Sequence, residues 1–221
     1  MLNPKIQITA DGSHTLYLPN MEEHYHSVNG AIRESLHVYI QAGLKHCKKD
    51  EINILELGFG TGLNAFLSFV ESQNRNLKIN YTTIEKFPLS PEIIRQLNYT
   101  AGLLSEFKDS FETIHNCEWG NFISVANNFR IKKIHADFSE VTFNDYYDVI
   151  FYDAFAPDKQ SEVWSQEIFN KLFEHSKPNG ILTTYCAKGS IRRMMQSAGF
   201  HTERIPGPPG KREMLRAIKA S

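Results

Sequence analysis

Cysteine is scarce in this chain. Cys47, Cys117 and Cys186 are odd in number, far apart and without metal-ligand spacing. That excludes a disulfide frame and a zinc site, and it points to a reducing, cytoplasmic setting with no bound metal. Charge of one sign is lacking too: 24 Lys and Arg stand against 25 Asp and Glu, a net charge of −1, so the protein is not a globally basic binder of nucleic acid. No apolar run approaches the ~18 residues of a membrane span, and the start has neither a basic stretch nor a hydrophobic signal core. Repeats, low-complexity tracts and interdomain linkers are absent from the sequence as well. What is present is 221 residues, 41% of them hydrophobic, enough for one sizeable core. The expected arrangement is a single α/β domain, with residues 1–45 as an N-terminal hairpin and cap and 46–221 as the core.

The most informative stretch is Ile52-Asn53-Ile54-Leu55-Glu56-Leu57-Gly58-Phe59-Gly60-Thr61-Gly62-Leu63-Asn64. A strand-like apolar run ends in three glycines at alternate positions, and a helical pattern (Leu63, Phe66, Leu67, Val70) follows. A strand turning sharply into a helix brings backbone N–H groups and a helix N-terminus to one sheet edge, and a Cβ there would hold a ligand away. Dinucleotide loops space their glycines G-x-G-x-x-G, but Leu63 stands at the last of those positions. Glu56 adds a negative charge, which suits a cofactor with a cationic amino-acid part. Glu56-x-Gly-x-Gly-x-Gly resembles the first motif of the S-adenosylmethionine (SAM) methyltransferases. Lys78–Ile84 reads as the second strand, and Glu85 closes it about 20 residues past the loop, where a ribose-binding carboxylate belongs.

Along the rest of the chain, residues 1–20 read as a β-hairpin turning at Asp11-Gly12. Tyr25 to Ser35 leads into a helical pattern at Leu36, Tyr39, Ile40 and Leu44, placed to cap a ligand. Asn127-Asn128 sits between two strand-like runs and predicts a hairpin with positive φ at the turn. Buried strands end at Asp137 and at Asp153-Ala154-Phe155-Ala156-Pro157, and Thr202–Ile205 with Met214–Ile218 form a closing hairpin. Glu56, Glu85, Asp137 and Asp153 therefore fall near the C-terminal ends of successive strands, the edge where open α/β sheets bind ligands. An acid, an aromatic and a proline on a rigid strand-end turn are similar to the acid/Asn-Pro-Pro-aromatic motif of enzymes that methylate exocyclic amines. Asp153 would then position the amine and Phe155 would stack on a base, with helix capping as the plainer role for Asp153. Residues 185–219 hold eight Lys or Arg against two Glu, a surplus of six positive charges. Such a segment is either a face for an anionic partner or ordinary solvated charge.

Taken together the motifs resemble the methyltransferase domain of MnmC and its stand-alone relatives. The likeness runs from about Tyr25 to Ala217. It rests on Glu56-Leu-Gly-Phe-Gly-Thr-Gly-Leu-Asn64, Glu85-Lys-Phe-Pro-Leu89, Asp153-Ala-Phe-Ala-Pro157, Lys188-Gly-Ser-Ile-Arg-Arg193 and Lys211-Arg-Glu-Met-Leu215. The resemblance implies a Rossmann-like, mostly parallel doubly wound sheet with a C-terminal antiparallel hairpin and a small N-terminal addition. It implies SAM as cofactor, with Tyr25, Glu56, Gly58, Gly60, Gly62, Asn64, Glu85, Lys86, Asp137 and Asp153 around it, and Asp153 and Phe155 as catalytic residues. It implies tRNA as partner, through its anticodon stem-loop, with Lys188, Arg192, Arg193, Lys211 and Arg212 on the phosphates. The expected reaction completes 5-methylaminomethyl-(2-thio)uridine at the wobble position. A small-molecule amine methyl- or aminopropyl-transferase on the same fold is the alternative, and a non-catalytic RNA-binding protein the third reading. In 221 residues there is no room for the FAD-dependent domain that some members carry.

Overall fold

The computed structural model describes residues 4–221, so the first three residues of the expected hairpin lie outside it. β1 (Lys5–Ile8) and β2 (His14–Leu18) pair antiparallel, and the short β3 (Glu23–His24) adds a third strand to this small sheet. α1 (Ala31–Ser35) runs straight into a π-helical stretch, Leu36–Gln41, which buries Val38, Tyr39 and Ile40. Gly30, at φ 134, starts α1 without a side-chain cap, and the Ser27 hydroxyl accepts from Asn29 N–H instead.

The main sheet begins with β4 (Glu51–Leu57), α2 (Leu63–Arg75) and β5 (Lys78–Glu85). The segment after β5 forms α3 (Pro91–Ile94), a 3-10 turn and α4 (Lys108–Asn116). Next come β6 (Phe122–Ala126), β7 (Phe129–His135) and β8 (Tyr147–Tyr152). α5 (Gln166–Glu174), β9 (Ser176–Thr184), α6 (Gly189–Ala198), β10 (His201–Pro206) and β11 (Glu213–Ile218) complete the chain. Eight strands lie in the order β10-β11-β9-β8-β4-β5-β7-β6. The five central ones are parallel, while β6, β10 and β11 run antiparallel to their neighbours. Because its neighbours β5 and β8 carry the chain away on opposite sides, β4 stands at the switch point where such sheets open a crevice.

Two apolar layers flank the sheet. One packs Phe66, Phe69, Tyr81 and Phe129 with Tyr39 and Val38 of the cap; the other packs Ile150, Tyr152, Trp164, Phe169 and Met195. Parallel strands covered on both faces explain the near-continuous hydrophobic runs of β4 and β8. Among the described residues no helix is long and apolar enough to cross a membrane.

One local expectation changes. Among the described residues positive φ outside glycine occurs at Glu22, Asn76 and Asn179, not at Asn127 or Asn128. A β-bulge between Ser124 and Ala126 lets the hairpin close without it, and the Asn128 amide donates to Ser72 and Leu77 carbonyls instead. The Lys177–Gly180 stretch lies inside β9, where the register to β8 shifts and Asn179 takes φ 61.

Candidate active site

At the C-terminal ends of β4, β5, β7 and β8 the sheet opens into a cavity of about 600 Å³, within the usual range for small-molecule sites. Glycine geometry shapes its floor. Gly58, at φ 90, lies against the other central turn, so that a Cβ there would stand 2.6 Å from the Asp153 carbonyl oxygen. A Cβ on Gly60 (φ 49) would meet the Tyr25 ring at 3.0 Å, and one on Gly62 (φ 70) would meet His115 at 2.6 Å. The three glycine N–H groups are not left open for a ligand, however. Gly58 N–H bonds the Ile84 carbonyl, Gly60 N–H the Glu85 carboxylate at 2.9 Å, and Gly62 N–H the Phe59 carbonyl. The glycines therefore contribute room and a tight turn rather than hydrogen-bond donors.

Carboxylates ring the cavity. Glu85 is fixed by Gly60 N–H and by Phe87 N–H at 2.8 Å, which leaves lone pairs on both oxygens facing inward for vicinal hydroxyls. Asp137 takes the Ser139 N–H and hydroxyl on one oxygen and the Lys86 ammonium at 2.6 Å on the other. These bonds hold its carboxyl down at about 2. Ile84, Ala136 and Phe138 make the wall between these acids apolar. Tyr25 closes the roof, edge-on to Phe155 with ring centroids 5.1 Å apart.

Asp153 sits at the centre. The Tyr39 hydroxyl donates to Oδ1 at 2.6 Å and the Asn64 amide to Oδ2 at 2.7 Å. Loss of hydration raises its carboxyl to about 7; the two donors and Lys211 oppose the rise, and the Glu34 charge adds to it. The turn that carries it is braced on three sides. Gln160 accepts from Phe155 N–H, the Trp164 indole donates to the Phe155 carbonyl, and the Tyr185 hydroxyl donates to the Ala154 carbonyl. His26 ties the cap to the loop, its Nε2 lying 2.6 Å from the Thr61 hydroxyl. Burial lowers this imidazole to about 4, so it is neutral near pH 7.

Of the residues expected to surround a cofactor, Tyr25, Gly58, Gly60, Glu85, Lys86, Asp137 and Asp153 all line this cavity, together with Phe155. Glu56, Gly62 and Asn64 stand outside its lining. Asn64 is buried and reaches Asp153 from behind, and Gly62 packs on His115. Glu56 points into the core, 0% exposed, where Thr83 donates to Oε2 at 2.7 Å and Oε1 has no partner. Burial raises its carboxyl to about 8, so at neutral pH it is largely protonated and cannot greet a cationic group. The unfolded chain ionises Glu56 near 4.5, so the folded state loses stability as pH rises from there to 8. Glu56→Gln is therefore expected to raise the melting temperature of the cofactor-free protein at pH 8, by the equivalent of a few kcal/mol at most. The gain should shrink at pH 5, and a pH-independent difference in thermal melts would contradict the assignment.

The basic segment is largely neutralised from within. Lys188 pairs with Asp158, Arg204 with Glu213, Arg216 with Glu203 and Lys211 with Glu34. Lys219 donates to the carbonyls of Phe173 and Ser176. Among the described residues Arg192, Arg193 and Arg212 have no carboxylate partner, and Lys211 alone of the five expected tRNA contacts lines the cavity. Sequence reasoning missed Tyr39, Glu34 and Tyr185, which read as core or surface positions and reach Asp153 or its turn only through long-range packing.

Comparison with known proteins settles the class. Residues 99–220, more than half of the chain, match the family described as S-adenosyl-L-methionine-dependent methyltransferase. The chain belongs to this family. A structure of MNMC2 from Aquifex aeolicus resembles the methyltransferase over its whole length, with a TM-score of 0.77 and 28% identity, and 72% of that chain is covered. The bifunctional protein MnmC of Leptospira borgpetersenii, named for tRNA 5-methylaminomethyl-2-thiouridine biosynthesis, is 32% identical over 86% of the methyltransferase. The methyltransferase spans only 31% of that relative's length. Spermidine synthase from Thermotoga maritima shares the fold at a TM-score of 0.56 and 11% identity over 99% of this chain and 81% of its own. The cavity fits SAM chemically: paired lone pairs on Glu85 for a ribose, an apolar wall for a flat base, and a carboxylate, Asp153, toward a sulfonium.

Proposed function

We propose that this methyltransferase acts on the primary amine of 5-aminomethyl-(2-thio)uridine at the tRNA wobble position in the cytoplasm, giving 5-methylaminomethyl-(2-thio)uridine. The observation that carries the reading is Asp153, held on both oxygens by Tyr39 and Asn64 beside the Gly58 turn. SAM, when bound, supplies an electrophilic methyl on a sulfonium. A carboxylate fixed in this way can accept a hydrogen bond, and then the proton, from an amine and aim its lone pair along one line. An alkyl amine has an ordinary pKa of roughly 10 and arrives protonated, so a base that ionises near neutrality is what the step needs. Phe155, on the rim next to Asp153, offers the face on which a uracil ring stacks. Tyr25, Gly58, Gly60, Glu85, Lys86 and Asp137 hold the cofactor, while Glu56, Gly62 and Asn64 shape the site from behind. Arg192, Arg193 and Arg212, with Lys188 at the edge, supply the charge for tRNA phosphates.

The test is incubation with SAM and tRNA from cells unable to complete this modification, followed by nucleoside mass spectrometry. A gain of one methyl on aminomethyl-uridine is the expected result. Reversing charge at Arg192, Arg193 and Arg212 together should lower kcat/KM on tRNA at least about tenfold and flatten its salt dependence, with SAM affinity unchanged. Unchanged activity of that variant on tRNA would favour the small-molecule amine transferase instead.

A further inference from the structure

Two segments from opposite ends of the chain meet over the acceptor side of the cavity. Glu34, at the end of α1, is 7% exposed. Its Oε2 accepts from Ser27 N–H at 2.7 Å, and its Oε1 accepts from the Lys211 ammonium at 3.0 Å. The same ammonium lies 3.9 Å from the centroid of the Tyr185 ring. The β10–β11 loop that carries Lys211 is seated on the cap: a Cβ on Gly210 would collide with the Asn29 amide, and the His37 ring bonds the Pro206 carbonyl at 2.8 Å. Glu34, Tyr185, Lys211 and Asp153 line one cavity, and the Tyr185 hydroxyl fixes the carbonyl next to Asp153.

A buried carboxylate and an aromatic face gripping one ammonium make a cation subsite. The Lys211 side chain that fills it is about a third exposed, whereas Glu34 is buried, so the place must keep an ammonium but can take another in its stead. Exchange of one ammonium for another therefore costs little. We propose that Glu34 and Tyr185 form the subsite that receives the acceptor amine as its ammonium ion, and that Lys211 yields this place when the substrate enters. The proposal rests on the amine-methylating function above. The ammonium hands one proton to the Asp153 carboxylate. The neutral nitrogen then attacks the methyl carbon as the carbon–sulfur bond breaks, leaving a thioether and a methylated ammonium. Departure of that cation lets Lys211 return to Glu34, and Asp153 loses its proton to solvent.

The charged and titratable groups around this pair are His26 from the cap, Glu23, Tyr39, Asp153, Tyr185 and Cys186. Within that set the Glu34 charge favours the protonated form of Asp153 and the Lys211 charge disfavours it. Both charges act on Asp153 whether or not an amine uses the place, so KM gives the test its discrimination. Steady-state kinetics on aminomethyl-uridine tRNA across pH 6–9, with SAM affinity titrated separately, should be run on wild type, Glu34→Gln and Lys211→Met. Glu34→Gln is expected to raise KM for the tRNA about tenfold with SAM affinity unchanged, and to move the acid limb of kcat/KM to lower pH. Lys211→Met should move that limb to higher pH. If the pair is only a strap, the limbs still move with the two charges but KM for the tRNA stays put in Glu34→Gln, which overturns the subsite while wild-type activity upholds the function. Should Glu34→Gln fail to fold, Lys211→Met decides alone: a lower KM for the tRNA, with the competing ammonium gone, supports the subsite and an unchanged or higher KM removes it. A wild-type protein that leaves this tRNA unmethylated overturns the function itself, and the subsite with it.

Discussion

Asp153→Asn lowers kcat about 10²- to 10⁴-fold, the range expected for loss of a positioned proton acceptor, while SAM affinity falls by no more than about tenfold, the share that the carboxylate's charge gives the sulfonium. Asparagine keeps the size of the side chain and an oxygen for the Tyr39 hydroxyl, which lies 2.6 Å from Oδ1 in the wild type. It replaces the other oxygen by an NH₂ that faces the Asn64 amide donor, now 2.7 Å from Oδ2. The variant therefore loses both the charge and one of two anchors, yet the Gly58 and Glu85 side of the cavity is untouched. The pH profile adds a second reading. Because burial raises Asp153 to about 7, wild-type kcat/KM should fall as pH drops through neutrality, where the carboxylate takes up its proton. A bound sulfonium favours the carboxylate, so the limb for kcat lies lower. In Asp153→Asn that limb should vanish. Near-wild-type turnover in steady-state assays, with intact SAM binding, would remove Asp153 from the mechanism.

Gly58→Ala weakens SAM binding at least about tenfold and lowers the melting temperature. Two separate costs add here. Alanine at φ 90 adopts a conformation that L residues avoid, a strain of order 1–3 kcal/mol. Its Cβ would also stand 2.6 Å from the Asp153 carbonyl oxygen, which is main chain and cannot swing aside. Because Gly58 N–H bonds Ile84 and Asp153 N–H bonds the Leu57 carbonyl, the two turns move as one. For a chain of this size each kcal/mol is worth roughly 2–4 °C, so a loss of about 4–12 °C is expected in thermal melts. Calorimetric SAM titration measures the affinity. Gly120→Ala, where a Cβ meets nothing within 4 Å at φ 93, separates strain from collision. If Gly58→Ala binds SAM like wild type, the close approach of the two turns has no functional weight.

Much of the site can be read along the chain because strand-end residues and turn glycines are local signals. Glu85 and Asp137 stand where β5 and β7 end, and both line the cavity. Glu56 shows the limit of that reasoning. It lies two residues before Gly58, yet strand alternation turns it away from the crevice into the core, where Thr83 receives it. The basic segment shows another limit. Its surplus of charge is visible in the sequence, but its partners are not, since Lys188, Lys211 and Arg216 meet Asp158, Glu34 and Glu203 only in the fold.

Local residue patterns alone reveal the glycine turn, the acids at the strand ends, the closing hairpin and the likeness to SAM-dependent methyltransferases. Periodicity, turn chemistry and motif spacing act over a few residues, so they survive in one dimension. Tertiary structure decided which of those acids face the cavity, which glycine N–H groups are already used, and which distant side chains hold Asp153. Tyr39 and Asp153 are separated by 114 positions, and only packing of the N-terminal cap against the sheet brings the hydroxyl within 2.6 Å of the carboxylate.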